Sequence, residues 1–302
     1  MKKVVIDTDC GVDDAVAIMI ALAHRELEVL GLSTVNGNVG VRQVTENVLR
    51  LLPVLGREDI PVYGGASRPL IARPHHAPGV HGRNGLGDIE LPDAGKRIED
   101  AGAPDGLLAL ARENPGLTLV ALGPLTNVAI ALNLHPELED LLGEIVSMGG
   151  AVGRGNVTPY AEFNYYVDPE SVRVVLESRV PLTVVAWDAA VKMAHTEEQL
   201  RVLGPEDNKV WKLLLDMHQP LFSHLEKVYG ARVAMFPDPI TMAYVVNPTI
   251  SREQFKSDLK MEAADSPRRG ASLLEKGDRV KMIMEIDMAG FQSILLEIRN
   301  LA

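Results

Sequence analysis

The sequence holds one cysteine, Cys10, among 302 residues, so no disulfide within the chain can brace the fold. That scarcity fits a reducing compartment, and the chain reads as cytoplasmic. Basic charge is also short: 41 Asp and Glu against 30 Lys and Arg leave a net charge of -11. A nucleic-acid groove needs a basic surface, so no polynucleotide partner is expected, whereas a cation or a small sugar is compatible with the balance. Long apolar runs are missing too. Val4-Val5-Ile6 stops at Asp7, too soon for the core of a signal peptide. No uninterrupted apolar stretch is long enough to span a bilayer, and no membrane partner is expected. Internal repeats, low-complexity tracts and linkers are absent as well, so residues 1–302 read as a single domain.

What is present is an ordinary globular balance, 46% hydrophobic and 24% charged, in a chain long enough to bury a large core. Apolar β-branched segments alternate with segments of helical spacing. Val4–Ile6, Val29–Val35, Leu117–Leu122, Ile145–Met148, Val180–Trp187 and Lys281–Met288 read as strands. Residues from about Asp13 to His24, Val41 to Leu55, Leu107 to Glu113 and Pro169 to Ser178 read as helices, and 205–235 as amphipathic helix. Residues 75–88 form a Gly/Pro/His loop, and 262–280, polar with Gly, Pro and Arg, read as an exposed loop. The alternation predicts an α/β fold with a mainly parallel central sheet flanked by helices, Rossmann-like in its layering.

Four aspartates fall within Asp7-Thr8-Asp9-Cys10-Gly11-Val12-Asp13-Asp14, at the C-terminal end of the first predicted strand, the edge where open α/β sheets bind ligands. Asp7 and Asp9 share a face of an extended backbone. A turn at Gly11 can bring Asp13 and Asp14 back toward them. Two unit charges about 4 Å apart repel by roughly 4 kcal/mol at an effective dielectric near 20. Either some of these carboxyls hold protons, or a hard cation sits among them, and oxygen ligands favour Ca²⁺ or Mg²⁺ over zinc. A plainer use is also open: Asp13 and Asp14 suit the first turn of a helix and Asp7 could cap a turn.

The motif Asp7-Thr8-Asp9-Cys10-Gly11-Val12-Asp13-Asp14-Ala15 resembles the N-terminal signature of the nucleoside hydrolase family, inosine/uridine-preferring type, which usually has proline where Cys10 stands. Further segments match in order: Asn36-Gly37-Asn38, His81-Gly82, Leu122-Gly123-Pro124-Leu125-Thr126-Asn127, Met148-Gly149-Gly150, Glu162-Phe163-Asn164, and Asp238-Pro239 before Ala243-Tyr244. The resemblance implies hydrolysis of ribonucleosides to ribose and free base, in purine or pyrimidine salvage, by a homodimer or homotetramer. It implies a Ca²⁺ ion held by Asp9, Asp14, the Leu122 carbonyl and Asp238, with Asp9 as general base. It places Asp13, Asn38, Met148, Asn156, Glu162, Asn164 and Asp238 around the ribose, and Asp7 behind the metal ligands. The Gly/Pro/His loop itself reads as a mobile lid over the sugar, with His81 near the substrate. The chemistry is coherent: an oxocarbenium-like transition state wants carboxylates beside it, and groups reading each hydroxyl should reject 2′-deoxyribose.

One departure matters. The family usually has a histidine just before the aspartate matched by Asp238, thought to protonate the leaving base, and here Pro237 stands there. Candidates to replace it are His218, His224, Tyr229 and Arg232 from the predicted helix, or Trp187 stacking on the base, or a restriction to good leaving groups. Two other functions compete. Asp7 as nucleophile and Asp9 as acid/base would make an Mg²⁺-dependent aspartyl-phosphate phosphatase, which leaves Asp13, Asp14, Asn38, Glu162 and Asn164 without a purpose. A catalytically impaired ribose- or nucleoside-binding protein would need no base at Asp9. A zinc site among His75, His76 and His81 is a further alternative to a lid.

Overall fold

Val4 and Ile6 point into the core on one side of a sheet and Val5 into the core on the other, so the first strand is buried on both faces. In the computed structural model, which describes residues 1–93, 95–205 and 207–301, this strand is β1, Lys2–Thr8. The chain continues through α1 (Val12–Ala23), β2 (Leu27–Thr34), α2 (Val41–Val54), β3 (Val62–Gly64), α3 (Pro78–His81) and α4 (Ala103–Glu113). Then come β4 (Leu117–Ala121), α5 (Thr126–Leu134), α6 (Leu138–Leu141), β5 (Leu142–Met148), α7 (Phe163–Val167), α8 (Pro169–Glu177), β6 (Leu182–Val185) and α9 (Trp187–Val191). The last third holds β7 (His195–Thr196), α10 (Glu197–Leu203), α11 (Lys209–Met217), α12 (Gln219–Tyr229), β8 (Val233–Ala234), α13 (Pro237–Val246), β9 (Ser251–Met261), β10 (Ser272–Ile286) and α14 (Met288–Leu296).

The eight-stranded sheet has the order β3-β2-β1-β4-β5-β6-β10-β9, and every pairing except β10 with β9 is parallel. β1 has β2 on one side and β4 on the other, so the winding reverses at β1 and the strand C-termini open a crevice there. Asp9, Asn38, Leu122, Met148 and Trp187 all follow or close strands at that edge. The predicted α/β class with a mainly parallel sheet is what the chain adopts.

Four local expectations need correction. Residues 272–280 are strand, not loop: β10 is a 15-residue strand with an exposed and mostly charged stretch, Glu275 to Arg279, which hid its pairing with β9. The strand predicted to reach Trp187 ends at Val185, and Trp187 opens α9. Met288, read as strand, begins α14, behind an Asp287 side chain that accepts the Gly290 N–H. Residues 205–235 split at His218, where Pro220 enters the second position of α12 and has no N–H to extend the ladder from α11. No helix is long and apolar enough to cross a membrane among the described residues.

Two helices position the site. α1 and α13 pack on each other and are buried over nearly their whole surfaces, so neither carries the polar stripe of a surface helix. That contact brings the first turn of α13, with Asp238, against the first turn of α1, with Asp13 and Asp14.

Candidate active site

At the end of β1 the backbone carries Asp9 out of the sheet and turns into α1. Asp14, the third residue of α1, accepts the Gly11 N–H at 2.8 Å and the Thr8 hydroxyl, which fixes the turn. Cys10 sits in that turn at a φ of 30°, uncommon for any residue but glycine, and donates its N–H to Thr8 Oγ1 at 3.0 Å. A proline there could do neither. Asn38, just beyond β2, donates its backbone N–H to Asp9 Oδ2 at 2.7 Å and its amide to Asp14 Oδ2 at 3.2 Å.

Asp9 lies in a slot between two glycines. A Cβ on Gly37 would fall 2.0 Å from Asp9 Oδ2, and one on Gly123 2.9 Å from Oδ1. Both are inside contact distance, so Asp9 keeps this position only because neither neighbour has a side chain.

The Asp13, Asp14 and Asp238 carboxylates each bring an oxygen within 4.8 Å of the others, and Asp9 contacts Asp14. Asp13 Oδ1 is buried with no partner among the described residues. Burial pushes Asp13 up to about 6. Burial, with repulsion from neighbouring carboxylates added, raises Asp9, Asp14 and Asp238. An all-oxygen set, crowded, desolvated and with an orphan oxygen, suits a hard divalent cation. The expected ligands were Asp9, Asp14, the Leu122 carbonyl and Asp238; the tightest trio here has Asp13 in place of Asp9. The Leu122 carbonyl faces the same pocket and accepts the Asn164 amide at 2.6 Å.

Behind this group, Asp7 Oδ1 accepts from Ser33 Oγ and, at 2.7 Å, from Asn127 Nδ2, while Oδ2 has no partner. Burial lifts its pKa to about 7. It is 1% exposed and does not line the pocket, so it cannot serve as a nucleophile. The sequence assigns no supporting role to either: Ser33 is one polar residue near the end of an apolar strand, and Asn127, though inside a matched segment, sits in the first turn of α5, where a capping use is equally open.

The pocket above the carboxylates has a volume of about 430 Å³, within the range of small-molecule sites. Asp9, Asp13, Asn38, Met148, Glu162, Asn164 and Asp238 line it. Glu162 caps α7, with Oε1 accepting the Asn164 N–H at 2.8 Å and Oε2 the N–H groups of Gly150 and Tyr165 at 2.9 and 3.2 Å. Its pKa still rises to about 7, because burial outweighs these bonds. The Asn164 amide also donates to the Met148 carbonyl at 3.2 Å. His81 is buried, and its Nδ1 accepts the Val12 N–H at 3.2 Å, 3.6 Å from Asp13 Oδ1. Desolvation lowers its pKa to about 4, so the ring is neutral and the contact with Asp13 is no ion pair.

Asn156 is exposed at the mouth, on a loop anchored where Asp188 accepts the N–H groups of Val152 and Gly153. Trp187, half-buried, lines the pocket with its backbone N–H on the Gly150 carbonyl at 2.9 Å. His224, also half-buried, reaches it from α12. Tyr229 closes α12, and its side chain lies outside the described residues. His218 is fully buried beneath α12 against Phe222 and Phe236 and does not line the pocket, and Arg232 pairs with Glu197 and Glu226. His75 and His76 line the pocket. Among the described residues the loop histidines assemble no metal-ligand group. Apolar lining from Val80, Phe163, Leu221, Leu225 and Met235 was not anticipated. Leu221 and Leu225 recur at helical spacing, a pattern that reads equally as core.

Comparison with known proteins agrees with this architecture. The family model described as inosine-uridine preferring nucleoside hydrolase matches residues 4–293. A pyrimidine-specific ribonucleoside hydrolase, RihA, of Citrobacter koseri is 37% identical over 304 residues, covering 97% of this chain and 96% of the relative. Among solved structures, the plant nucleoside hydrolase PpNRh1 superposes with a TM-score of 0.93 at 34% identity, over 99% of this chain and 98% of that one. A purine-preferring ribonucleoside hydrolase from Gardnerella vaginalis gives 0.91 at 29% identity, over 99% and 98%.

Proposed function

We propose, from the premise that the chain belongs to the inosine-uridine preferring nucleoside hydrolase family and hydrolyses the N-glycosidic bond of ribonucleosides, that its carboxylate floor does this with a bound Ca²⁺ ion and Asp9 as general base. The observation that carries the reading is the group of buried aspartates at the parallel strand ends, with an orphan oxygen on Asp13, opening into a pocket of nucleoside size. Asp13, Asp14 and Asp238 would hold the cation, with Asp9 and the Leu122 carbonyl at its edge. When bound, the ion supplies the charge that lets these carboxyls ionise together and acidifies an adjoining water.

The chain's own groups do the rest. Asp9, fixed by the Asn38 N–H and its two glycines, takes the proton of the attacking water. The ionised carboxylates stabilise positive charge at the anomeric carbon as the bond to the base stretches. Asp13, Asn38, Met148, Glu162, Asn164 and Asp238 surround the sugar, with His81 beside Asp13 at the floor and Asn156 at the mouth. Glu162, its oxygens largely committed to backbone N–H groups, contributes charge and sets the angle of Asn164. Asp7 steadies β1 behind Asp14. The homodimer or homotetramer, the cytoplasmic location and the salvage role belong to the same reading. The pyrimidine-specific relative and the purine-preferring neighbour differ by name, so base preference is a matter for this chain's own wall residues.

The test is ribose release from inosine, uridine, cytidine, adenosine and guanosine, with chelator and with Ca²⁺, by the native chain and Asp9→Ala. Release that needs Ca²⁺ and falls roughly 100-fold or more in Asp9→Ala is expected. No release from any of the five, with nucleoside binding intact, would instead support the impaired-binder alternative.

A further inference from the structure

The pocket's polar residues gather at the carboxylate floor, and its far end is apolar: Trp187, Leu221, Leu225, Met235 and Pro237. Within that end one described side chain can deliver a proton, His224. It lies on α12 three residues after Leu221, about one turn on, and Leu221, His224 and Leu225 all line the pocket. Residue 237, which leads into Asp238 and abuts this end, is proline and carries no proton.

The other pocket histidines are occupied. His81 Nδ1 accepts the Val12 N–H at the carboxylate floor. His76 Nδ1 is held by the Gly37 carbonyl at 2.8 Å. His75 packs edge-on against Tyr166 and tilted on Phe163. The His224 ring forms no hydrogen bond or ion pair with any described residue, and it is half-exposed, so it can regain a proton from solvent.

Hydrolysis of an N-glycosidic bond places an electron pair on the departing nitrogen base. The water oxygen bonds to the anomeric carbon, its proton goes to Asp9, the carbon–nitrogen bond breaks, and the base leaves as an anion unless a proton meets it. We propose that His224 is the catalytic acid: its imidazolium passes a proton to the departing base as that bond breaks, and the neutral ring is reprotonated by solvent. This rests on the floor-and-base reading above. It narrows the substrates to nucleosides whose base projects past Trp187 toward α12.

The test compares His224→Ala and His224→Gln on two leaving groups, inosine and uridine against 4-nitrophenyl riboside, whose phenolate departs without a proton. Nucleoside hydrolysis should fall by roughly 100- to 10,000-fold in kcat while that of the nitrophenyl riboside falls by less than about tenfold. Equal losses on both substrates, or nucleoside hydrolysis that survives within a few-fold, would overturn the assignment. Melting curves with Ca²⁺ for both variants identify a folding defect, which would lower both substrates together. If the native chain released ribose from neither class, the underlying reading would fail and this one with it; native activity with no leaving-group dependence in the variants sinks His224 alone.

Discussion

The floor and the far wall of the pocket are built by opposite means. On the floor, Asp9, Asp14 and Glu162 each accept hydrogen bonds from backbone N–H groups, and Asp9 is pinned between Gly37 and Gly123. On the wall, Trp187, Leu221, Leu225 and Met235 meet the cavity through apolar surface around the single polar ring of His224, and Leu221, His224 and Leu225 ride on α12, a helix with most of its side chains partly exposed. The difference separates two tasks. Attack at the anomeric carbon needs atoms held to a fraction of an ångström, which a parallel sheet and rigid caps provide. Reception of the base, apart from the proton proposed for His224, needs area and shape, which a surface helix can vary without disturbing the floor.

The comparison breaks first if the floor tolerates displacement. Gly37→Ala puts a methyl group 2.0 Å from Asp9 Oδ2, so it should cost roughly 100-fold or more in kcat while far-UV circular dichroism stays native. Full activity in that variant would mean that Asp9 has no fixed post.

A smaller effect concerns charge. Asp7 and Asp13 have folded pKa values of about 7 and about 6 against ordinary values of 3.8. Both are raised, so in metal-free protein the native state holds more protons than the unfolded chain across that window. Its stability is therefore fully present below the ordinary carboxylate pKa and declines as pH rises toward 7. Calcium at a hundredfold excess over its Kd should add about 2.7 kcal/mol, and its effect on the melting temperature should be larger near neutrality than near pH 5. Metal-free melting temperatures that climb with pH over this range would contradict the desolvated floor.

The smallest effect belongs to the wall. Trp187→Ala should raise KM for nucleosides by roughly tenfold and leave kcat within a few-fold, because a stacking surface is lost and no reacting group moves. A fall in kcat as large as that of Gly37→Ala would erase the distinction between the two regions.

The sequence by itself determined the α/β class, the parallel strands and the aspartate motif, because β-branched runs, helical spacing and clustered carboxylates are local signals along the chain. Ordered motifs spread from β1 to α13, read through the family resemblance, also named residues that line the pocket. The sequence could not disclose α13, which is buried all round, or the exposed, charged stretch of β10, since neither has the pattern of a half-buried element. Tertiary structure alone decided that Asp238 meets Asp13 and Asp14, some 225 residues away in the chain, through the packing of α13 on α1. It decided that Glu162 is tied up as a cap, that His218 is buried out of reach, and that His224 faces the cavity. Composition and spacing report which groups a chain owns, whereas the crossing of two helices and the solvent they exclude fix which groups meet and how strongly each holds its proton.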